Sequence, residues 1–299
     1  MSDNTIRLDE NKCGVVILNY NSHDLTVALA EKICDFSSVS DICVVDNCSN
    51  DDFEDDFTNP KIHYIKNTKN TGYSAGNNVG LRYLVNKRGC GYVFIANPDV
   101  FFEDSTIKAM HEQFLATPSL ALLSTKRFGH DGAQIHQYFD FPTLGDSIKN
   151  CFFLARKKFE KRRHFNQNRK IDLSDDIVFV DAVPGAFFGI KSEFLLKNGF
   201  IYEGIFLYGE EIILGRQAHN LGYKAGVINN DFYIHDHVQK RFSNKKMFWY
   251  DRHSLKIYYK LFEKYNPLQW LCLNTAIVLG TFEYNCAYGL YHLIKKGKK

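Results

Sequence analysis

From residue 13 onward, short runs rich in valine and isoleucine alternate with longer stretches in which apolar residues recur at helical spacing. The apolar runs are CGVVIL, DICVVD, KIHYI, YVFIA and LALLS, and the helix-compatible stretches are 23–37, 73–88 and 104–116. Runs that are apolar throughout are typical of strands buried on both faces. The alternation therefore predicts strand–helix units that build a parallel sheet.

The second half of the chain has a different pattern. VFVDAVPGAFFGI has strand character again, KSEFLLKNGF predicts a short helix that ends at Gly199, and YGEEIILGRQAHNLGY predicts another helix. From Ser243 the sequence is helix-compatible to its end. We therefore expect an α/β domain over residues 1–242 and a helical extension over residues 243–299.

The composition is that of an ordinary globular protein. Of the 299 residues, 45% are hydrophobic and 24% are charged, and the net charge of +3 gives no indication of a nucleic-acid partner. The eight cysteines include no C-x-x-C pair, and several lie in apolar runs, which is typical of reduced core cysteines. Because the first twelve residues are polar and contain no apolar signal segment, the sequence predicts a cytoplasmic protein.

Two segments bear on contact with a membrane. Residues 149–170 contain nine Lys or Arg residues and one Glu, interleaved with phenylalanines. A solvated helix face and a contact with an anionic membrane surface both account for this insertion. The apolar run from Leu268 to Gly280 is shorter than the about 20 residues that a membrane span requires. It predicts either a helix packed on the main domain or a helix lying in the membrane interface, peripheral to the inner face of the cell membrane.

Polar side chains cluster where three of the predicted strands end. Ligands of parallel sheets bind beyond the carboxyl ends of the strands, and the clusters occupy residues 19–21, 46–49 and 97–99. Tyr20 offers an aromatic face to a planar base, and Asn19 and Asn21 offer amide groups. Asp46 can accept the imide N–H of uracil or thymine, which cytosine lacks. These residues are candidates for a nucleotide-binding site.

Asp99 ends the run YVFIANPD, two residues after Asn97, and is the only carboxylate of that turn. Mg²⁺ or Mn²⁺ requires oxygen ligands but keeps waters and substrate phosphates in its shell. One carboxylate on a rigid turn can therefore hold a metal-bound diphosphate. A turn-forming or helix-capping role is the alternative for a lone aspartate at this position.

Residues 70–81, NTGYSAGNNVGL, begin a predicted helix that has two early glycines. The glycines allow the backbone to approach a ligand closely, and Asn77 and Asn78 then enter a helix whose N-terminus favours phosphate oxygens. A plain glycine-rich helix start has the same pattern. The G-x-G-x-x-G turn and the P-loop are both absent, which argues against the dinucleotide-binding and P-loop classes.

Five elements, in this order, resemble those of the inverting family-2 glycosyltransferases, most closely the rhamnosyltransferase-like members. VVILNYNS resembles the opening strand, NPDV stands where the family has Asp-x-Asp, and NTGYSAGNNVGL resembles its Asn- and Gly-rich element. Residues 183–223 resemble the acceptor-side block, with FLYGEE in place of Phe-x-Tyr-Gly-Glu-Asp, and YIHDHVQKRFS resembles the segment after the last strand. The resemblance implies the GT-A nucleotide-diphospho-sugar transferase fold, a Rossmann-like mixed sheet flanked by helices.

The resemblance also implies roles for individual residues. Glu211 stands where the family has its catalytic base, and Glu210 is the alternative. The implied metal ligands are Asp99 and His235, with His237 as the alternative to His235. The implied donor contacts are Asn19, Tyr20, Asn21, Asp46, Asn70, Gly72, Asn77 and Asn97. The implied acceptor or phosphate contacts are Gly185, Lys240, Arg241 and Arg252.

The function implied is metal-dependent, inverting transfer of a sugar from a nucleotide-diphosphate donor, with dTDP-rhamnose favoured and a UDP-hexose next. The implied acceptor is a saccharide or lipid-linked oligosaccharide in bacterial surface polysaccharide synthesis. A non-catalytic module that binds a sugar nucleotide or glycan is the alternative, because Glu211 and Ile213 depart from the family pattern at the reaction centre. A nucleotidyltransferase would be expected to carry a Gly-rich, Arg/Lys-containing loop where this chain has NYNSHD.

Overall fold

The computed structural model describes residues 7–50, 57–152, 175–236 and 245–296. The strands are β1 (Asp9–Asn19), β2 (Val39–Asp46), β3 (Ile62–Lys66), β4 (Cys90–Ala96), β5 (Val100–Phe101), β6 (Leu120–Gly129), β7 (Ile177–Val180), β8 (Phe187–Lys191) and β9 (Lys224–His235). The helices are α1 (His23–Cys34), α2 (Tyr73–Asn86), α3 (Asp104–Ala116), α4 (Leu144–Cys151), α5 (Ser192–Asn198), α6 (Glu210–Asn220), α7 (Lys245–Phe262) and α8 (Pro267–Lys296).

The first four long strands form the parallel half of a nine-stranded sheet. β1 lies between β2 and β4, and β2 also pairs with β3, all in parallel. Asn19 lies opposite Asp46, and Ile17 lies opposite Ala96, so β1, β2 and β4 end at the same edge. The sequence prediction of strand–helix units is confirmed here, and the three polar clusters do follow neighbouring strand ends.

The other half of the sheet is mixed. The full order is β3-β2-β1-β4-β8-β6-β9-β5, with β7 paired to β9. β8 is antiparallel to β4 and β6, and β5 and β7 are antiparallel to β9. The apolar runs predicted strands but not their direction, because side chains alternate with the same period in either orientation. The prediction of a parallel sheet is therefore wrong for this half, and the mixed sheet implied by the family resemblance is confirmed.

Helices cover both faces of the sheet. One hydrophobic cluster joins α1 and α3 to the strands and includes Ile33, Met110 and Phe114. The other joins α2, α5 and α6 to the opposite face. α5 ends at Gly199, which adopts the left-handed conformation expected of a helix-terminating glycine. This three-layer arrangement leaves the strand-end edge available for a site.

The C-terminal helices pack on the remainder of the chain. Tyr258 and Tyr259 of α7 and Leu273 of α8 form a third buried cluster with Ile213 of α6. The rings of Phe248 and Tyr284 stack at 4.0 Å between α7 and α8. No helix within the described residues is long and apolar enough to cross a membrane. Most of the basic–aromatic insertion lies outside the described residues.

Candidate functional site

A buried carboxylate lies at the ends of β1 and β2. Asn19 donates from its amide to Asp46 Oδ1 at 3.2 Å and to Ser49 Oγ at 2.8 Å, and the Ser49 backbone N–H donates to Asp46 Oδ1 at 3.1 Å. Asp46 is fully buried, and its other oxygen, Oδ2, has no hydrogen-bond partner among the described residues. A buried acceptor without a partner is costly, so Oδ2 is suited to receive one N–H from a ligand.

The loop after β1 exposes an aromatic side chain one residue after Asn19, which contacts this carboxylate. Asn21 adopts a left-handed conformation (φ 54°), its backbone N–H donates to Ser49 Oγ at 2.9 Å, and its side-chain oxygen accepts from the backbone of Asn50. The loop is thereby fixed while the Tyr20 side chain remains 52% exposed. An exposed aromatic ring can stack on a planar base.

The turn before α2 is built around Asn47, a residue that the sequence analysis did not single out. Its amide donates to Asn70 Oδ1 and to the Gly72 carbonyl, both at 3.1 Å, and its oxygen accepts from the Thr71 backbone at 3.2 Å. Asn70 also accepts from the Gly72 N–H at 2.9 Å. Asn70 therefore shapes the turn. The polar cluster at residues 46–49, where β2 ends, was the signal that could have identified Asn47.

Asn77 and its neighbour Asn78 lie within α2 and are both fully buried. The Asn77 amide donates to the Tyr73 carbonyl at 3.0 Å, which supports the first turn of the helix. The Asn78 amide donates to the Ile201 carbonyl and to Glu203. The structure thus gives the amides of both asparagines internal partners, whereas the family resemblance implied that Asn77 contacts the donor.

Asp99 contacts His235 across the pairing of β5 and β9. His235 Nε2 lies 3.2 Å from Asp99 Oδ1, and His235 Nδ1 lies 2.6 Å from Arg127 Nη2. A guanidinium is always protonated and can only donate, so Nδ1 accepts and the neutral imidazole donates from Nε2 to Asp99. Arg127 lies two residues before the end of β6, beyond the apolar run LALLS, and no local pattern marked it as a site residue.

This corner fits a hard divalent ion through Asp99. The described residues contain no group of three or more His, Cys, Asp or Glu side chains that could enclose a metal by itself. Asp99 can supply one oxygen while phosphates and waters fill the other positions, as Mg²⁺ and Mn²⁺ permit. His235 would have to give up its Nε2 proton and its bond from Arg127 to become a ligand, so in this arrangement it orients the Asp99 carboxylate.

Two adjacent glutamates begin α6. Burial and the charge of Glu211 raise the pKa of Glu210 well above its usual range. Burial also raises the pKa of Glu211, while backbone hydrogen bonds, including one from Gly185, and the charge of Arg127 act in the opposite direction. The two charges repel each other, which opposes ionisation of both groups. The pKa of Glu210 is the more strongly raised of the two, and its Oε2 has no partner among the described residues, so Glu210 is the group that we expect to hold a proton.

Glu211 lies against the loop between β7 and β8. A Cβ atom added at Gly185 would lie 2.9 Å from Glu211 Oε1, so the two residues are in contact. The Tyr73 hydroxyl donates to the Gly185 carbonyl. Asn97 is half-buried, and its backbone N–H donates to the Ala186 carbonyl at 2.9 Å. The structure thus brings the turn that holds Asp99, the start of α2 and the glutamate pair around one loop.

Of the basic residues predicted to contact the acceptor or a phosphate, Arg252 lies in the described part of the chain, and it does not join this cluster. Arg252 is 4% exposed, donates to the Asn150 carbonyl and to Asp251 Oδ2, and lies over the Phe248 ring. It therefore joins α7 to α4, in place of the predicted acceptor or phosphate contact. Lys240, Arg241 and His237 lie outside the described residues.

Comparison with known proteins identifies the chain. Residues 14–181, more than half of its length, match the family model described as Glycosyl transferase family 2. The chain belongs to glycosyl transferase family 2. A hexosyltransferase of low-salt glycan biosynthesis, Agl10 of Haloferax volcanii, is 25% identical to this family member over 213 residues. That match covers 70% of this chain and 63% of the relative, so the chain spans less than two thirds of the relative's length.

Solved structures of glycosyltransferases share the fold. The mannosyltransferase PcManGT of Pyrobaculum calidifontis, solved with GDP-Man and Mn²⁺, aligns over 99% of this chain and 81% of its own, with 15% identity and a TM-score of 0.56. GalNAc-T7 with UDP, GalNAc and Mn²⁺ aligns over 80% of this chain and 47% of its own, with 14% identity and a TM-score of 0.57. TarS of S. aureus with UDP-GlcNAc aligns over 91% and 72%, with 15% identity and a TM-score of 0.53. The predicted GT-A fold is confirmed.

The assigned proton can be observed directly. We expect the infrared spectrum of the protein at neutral pH to contain the carbonyl band of a protonated carboxyl group, and Glu210→Gln to remove it, because Glu210 is the more strongly perturbed partner. Glu203→Gln is the matched control, since hydrogen bonds from Asn78 and Arg82 lower the pKa of Glu203. A band that persists in Glu210→Gln would place the proton elsewhere.

Proposed function

We propose that this family member is an inverting, metal-dependent glycosyltransferase that uses Glu211 as its base. One observation carries the proposal. Arg127 contacts His235, which holds Asp99, and the charge of the same arginine acts on Glu211. The carboxylate that can bind a metal-bound diphosphate and the carboxylate that can accept a proton are thereby parts of one cluster. Inverting transfer requires both groups around the same donor sugar.

The reaction proposed is a single displacement. Glu211 accepts the proton of an acceptor hydroxyl, and the hydroxyl oxygen forms a bond to the anomeric carbon. The bond from that carbon to the diphosphate oxygen breaks on the opposite face, so the anomeric configuration inverts. A divalent ion beside Asp99 would stabilise the negative charge of the departing diphosphate. Burial of the glutamate pair supports this role, because a raised pKa makes Glu211 a stronger base than an exposed glutamate.

The donor proposed first is dTDP-rhamnose, with a UDP-hexose second. The support is the NPDV and NTGYSAGNNVGL sequences together with the unpartnered Asp46 oxygen, which suits the imide of thymine or uracil. The solved neighbours named above carry UDP, GDP-Man or UDP-GlcNAc. Guanine also has a ring N–H, so GDP-mannose belongs in the donor panel.

The acceptor proposed is a saccharide or lipid-linked oligosaccharide. The relative from H. volcanii is named for glycan biosynthesis in an archaeon. We therefore propose glycan assembly as the process, of which bacterial surface polysaccharide synthesis is one form. The rival, a non-catalytic sugar-nucleotide or glycan-binding module, would bind the donor without transferring or hydrolysing it.

The nucleotide preference tests Asp46. We expect UDP and dTDP to bind more tightly than CDP by about 2 kcal/mol or more, because cytosine leaves the buried acceptor without its N–H. Asp46→Asn should reduce this difference, since an amide can donate to the cytosine ring nitrogen. Calorimetric titration measures both proteins. Equal affinities of the wild type for UDP and CDP would refute the role of Asp46.

Metal dependence tests Asp99. We expect Mn²⁺ to increase the affinity of the wild type for the nucleotide diphosphate and Asp99→Ala to abolish that increase, because the carboxylate supplies the only protein oxygen proposed for the ion. Asp236→Ala is the matched control, since Asp236 follows β9 and pairs with His130 at 2.5 Å. Wild-type affinity that is the same after metal removal would contradict the prediction.

The deciding experiment is a transfer or donor-hydrolysis assay. Glu211→Gln should lose about 10²- to 10⁴-fold in turnover with unchanged nucleotide-diphosphate affinity, and Glu210→Gln should lose less. Wild-type turnover should fall as the pH drops through the raised pKa of Glu211, because only the ionised carboxylate can accept a proton. Product NMR reports the anomeric configuration.

Either of two results would change the assignment. If Glu210→Gln is the more damaging substitution, Glu210 is the base. If neither substitution affects turnover, or if the wild type neither transfers nor hydrolyses any donor that it binds, the binding-module rival is correct.

A further inference from the structure

Helix α8 is apolar on two opposite sides. Its inner face, Leu273, Ala276, Gly280 and Tyr284, is buried against the chain. Its outer face consists of Leu271, Val278, Leu279, Phe282, Leu290 and Leu293, which are 51% to 70% exposed. The buried positions recur every three or four residues along one side of the helix, and the exposed ones occupy the other.

The inner face already provides the packing that α8 needs. Gly280 approaches the carbonyl of Cys151 so closely that a side chain would not fit, and Tyr284 stacks on Phe248. The outer face makes no comparable contribution to the fold. Soluble proteins rarely expose large apolar patches unless the patch contacts a partner or a membrane.

The charges around α8 favour a membrane over a second protein chain. Between Pro267 and Ile294 the sequence has a single Glu or Asp and no Lys or Arg, so the charged pairs that flank a coiled-coil seam are missing. Adjacent pairs such as Val278 and Leu279 are both exposed, which makes the outer face wider than such a seam.

In the sequence, lysines follow the apolar stretch of α8. Residues 295–299 read KKGKK, and the Lys245 ammonium lies 5.3 Å from the centre of the Tyr288 ring on α8. Lysines and aromatic rings beside a wide apolar face are typical of helices that lie in the headgroup boundary of anionic lipids. We propose that the outer face of α8 lies in the surface of an anionic membrane, parallel to it.

The position of α8 gives this attachment a consequence for the site. α7 packs on the inner face of α8 and also contacts the segment before Glu210: Ser254 donates to the Leu207 carbonyl at 3.2 Å, and the Tyr250 ring stacks on Phe206 at 4.7 Å. A membrane-bound α8 would hold this acceptor-side segment near the lipid surface. That consequence rests on the proposed function, whereas the membrane attachment does not.

Vesicle flotation of the full chain tests the attachment. We expect the wild type to float with vesicles of phosphatidylcholine and phosphatidylglycerol, and far less with phosphatidylcholine alone. The double variant Val278→Asp/Phe282→Asp should bind about tenfold less or weaker still, because it places two charges in the apolar boundary. The matched control is Leu25→Asp/Leu115→Asp, which changes two leucines that are 46% exposed on α1 and α3. Thermal unfolding checks that both variants fold.

Three outcomes would overturn the proposal. The first is that the wild type does not float, and the second is that the α8 variant floats as well as the wild type. The third is that neutral and anionic vesicles bind the wild type equally. A wild-type dimer in sedimentation analysis that Val278→Asp/Phe282→Asp dissociates, without vesicle binding, would show that a second copy covers the outer face. Donor hydrolysis in solution is measured separately, so failure of the attachment and failure of the proposed function are distinguishable.

Discussion

One backbone contact sets the relation between the two sides of the site. The Tyr73 N–H, in the first turn of α2, donates to the Phe206 carbonyl at 2.9 Å. Gly72 makes this contact possible: it has a φ of 86°, which few other residues adopt, and a Cβ atom there would collide with the same carbonyl. Because α2 follows the strand ends that hold Asp46 and the segment around Phe206 leads into Glu210, this approach fixes the distance between the nucleotide corner and the glutamate pair. Any side chain at residue 72 would push the start of α2 away from the Phe206 carbonyl.

Electrostatics then decides which groups in the site are charged. Burial opposes ionisation of both glutamates, and their mutual repulsion opposes it further. The two glutamates differ because the charge of Arg127 and a backbone hydrogen bond from Gly185 both act to lower the pKa of Glu211. The same guanidinium donates to His235 Nδ1 and so determines which imidazole nitrogen faces Asp99. A single cation thus acts on both the proposed base and the residue that orients the proposed metal ligand.

Much of this site was predictable because its signals are local. The strands of the first half, the polar clusters at their ends and the glutamate pair at a helix start all follow from patterns within about ten residues. Arg127 was missed because its partner His235 is 108 residues away on β9, and only the pairing of β6 with β9 brings them together. Arg252 was misleading for the same reason, since the distant carbonyl that its side chain contacts is not visible in the sequence. The direction of β8 likewise depends on tertiary pairing.

The two departures from the family pattern have separate physical explanations. Glu211 is one methylene longer than the aspartate expected there, and its carboxylate occupies the space that a side chain at residue 185 would fill, so Gly185 accommodates the extra length. Ile213 stands where the family has a second acid, and it is 1% exposed in the cluster with Tyr258 and Leu273. An ionised side chain in that cluster would be buried without a partner, at a cost of several kcal/mol, roughly. Ile213 therefore packs against the C-terminal helices, which cover this side of α6. Because they exclude an acid at residue 213, Glu210 and Glu211 are the carboxylates at the start of this helix.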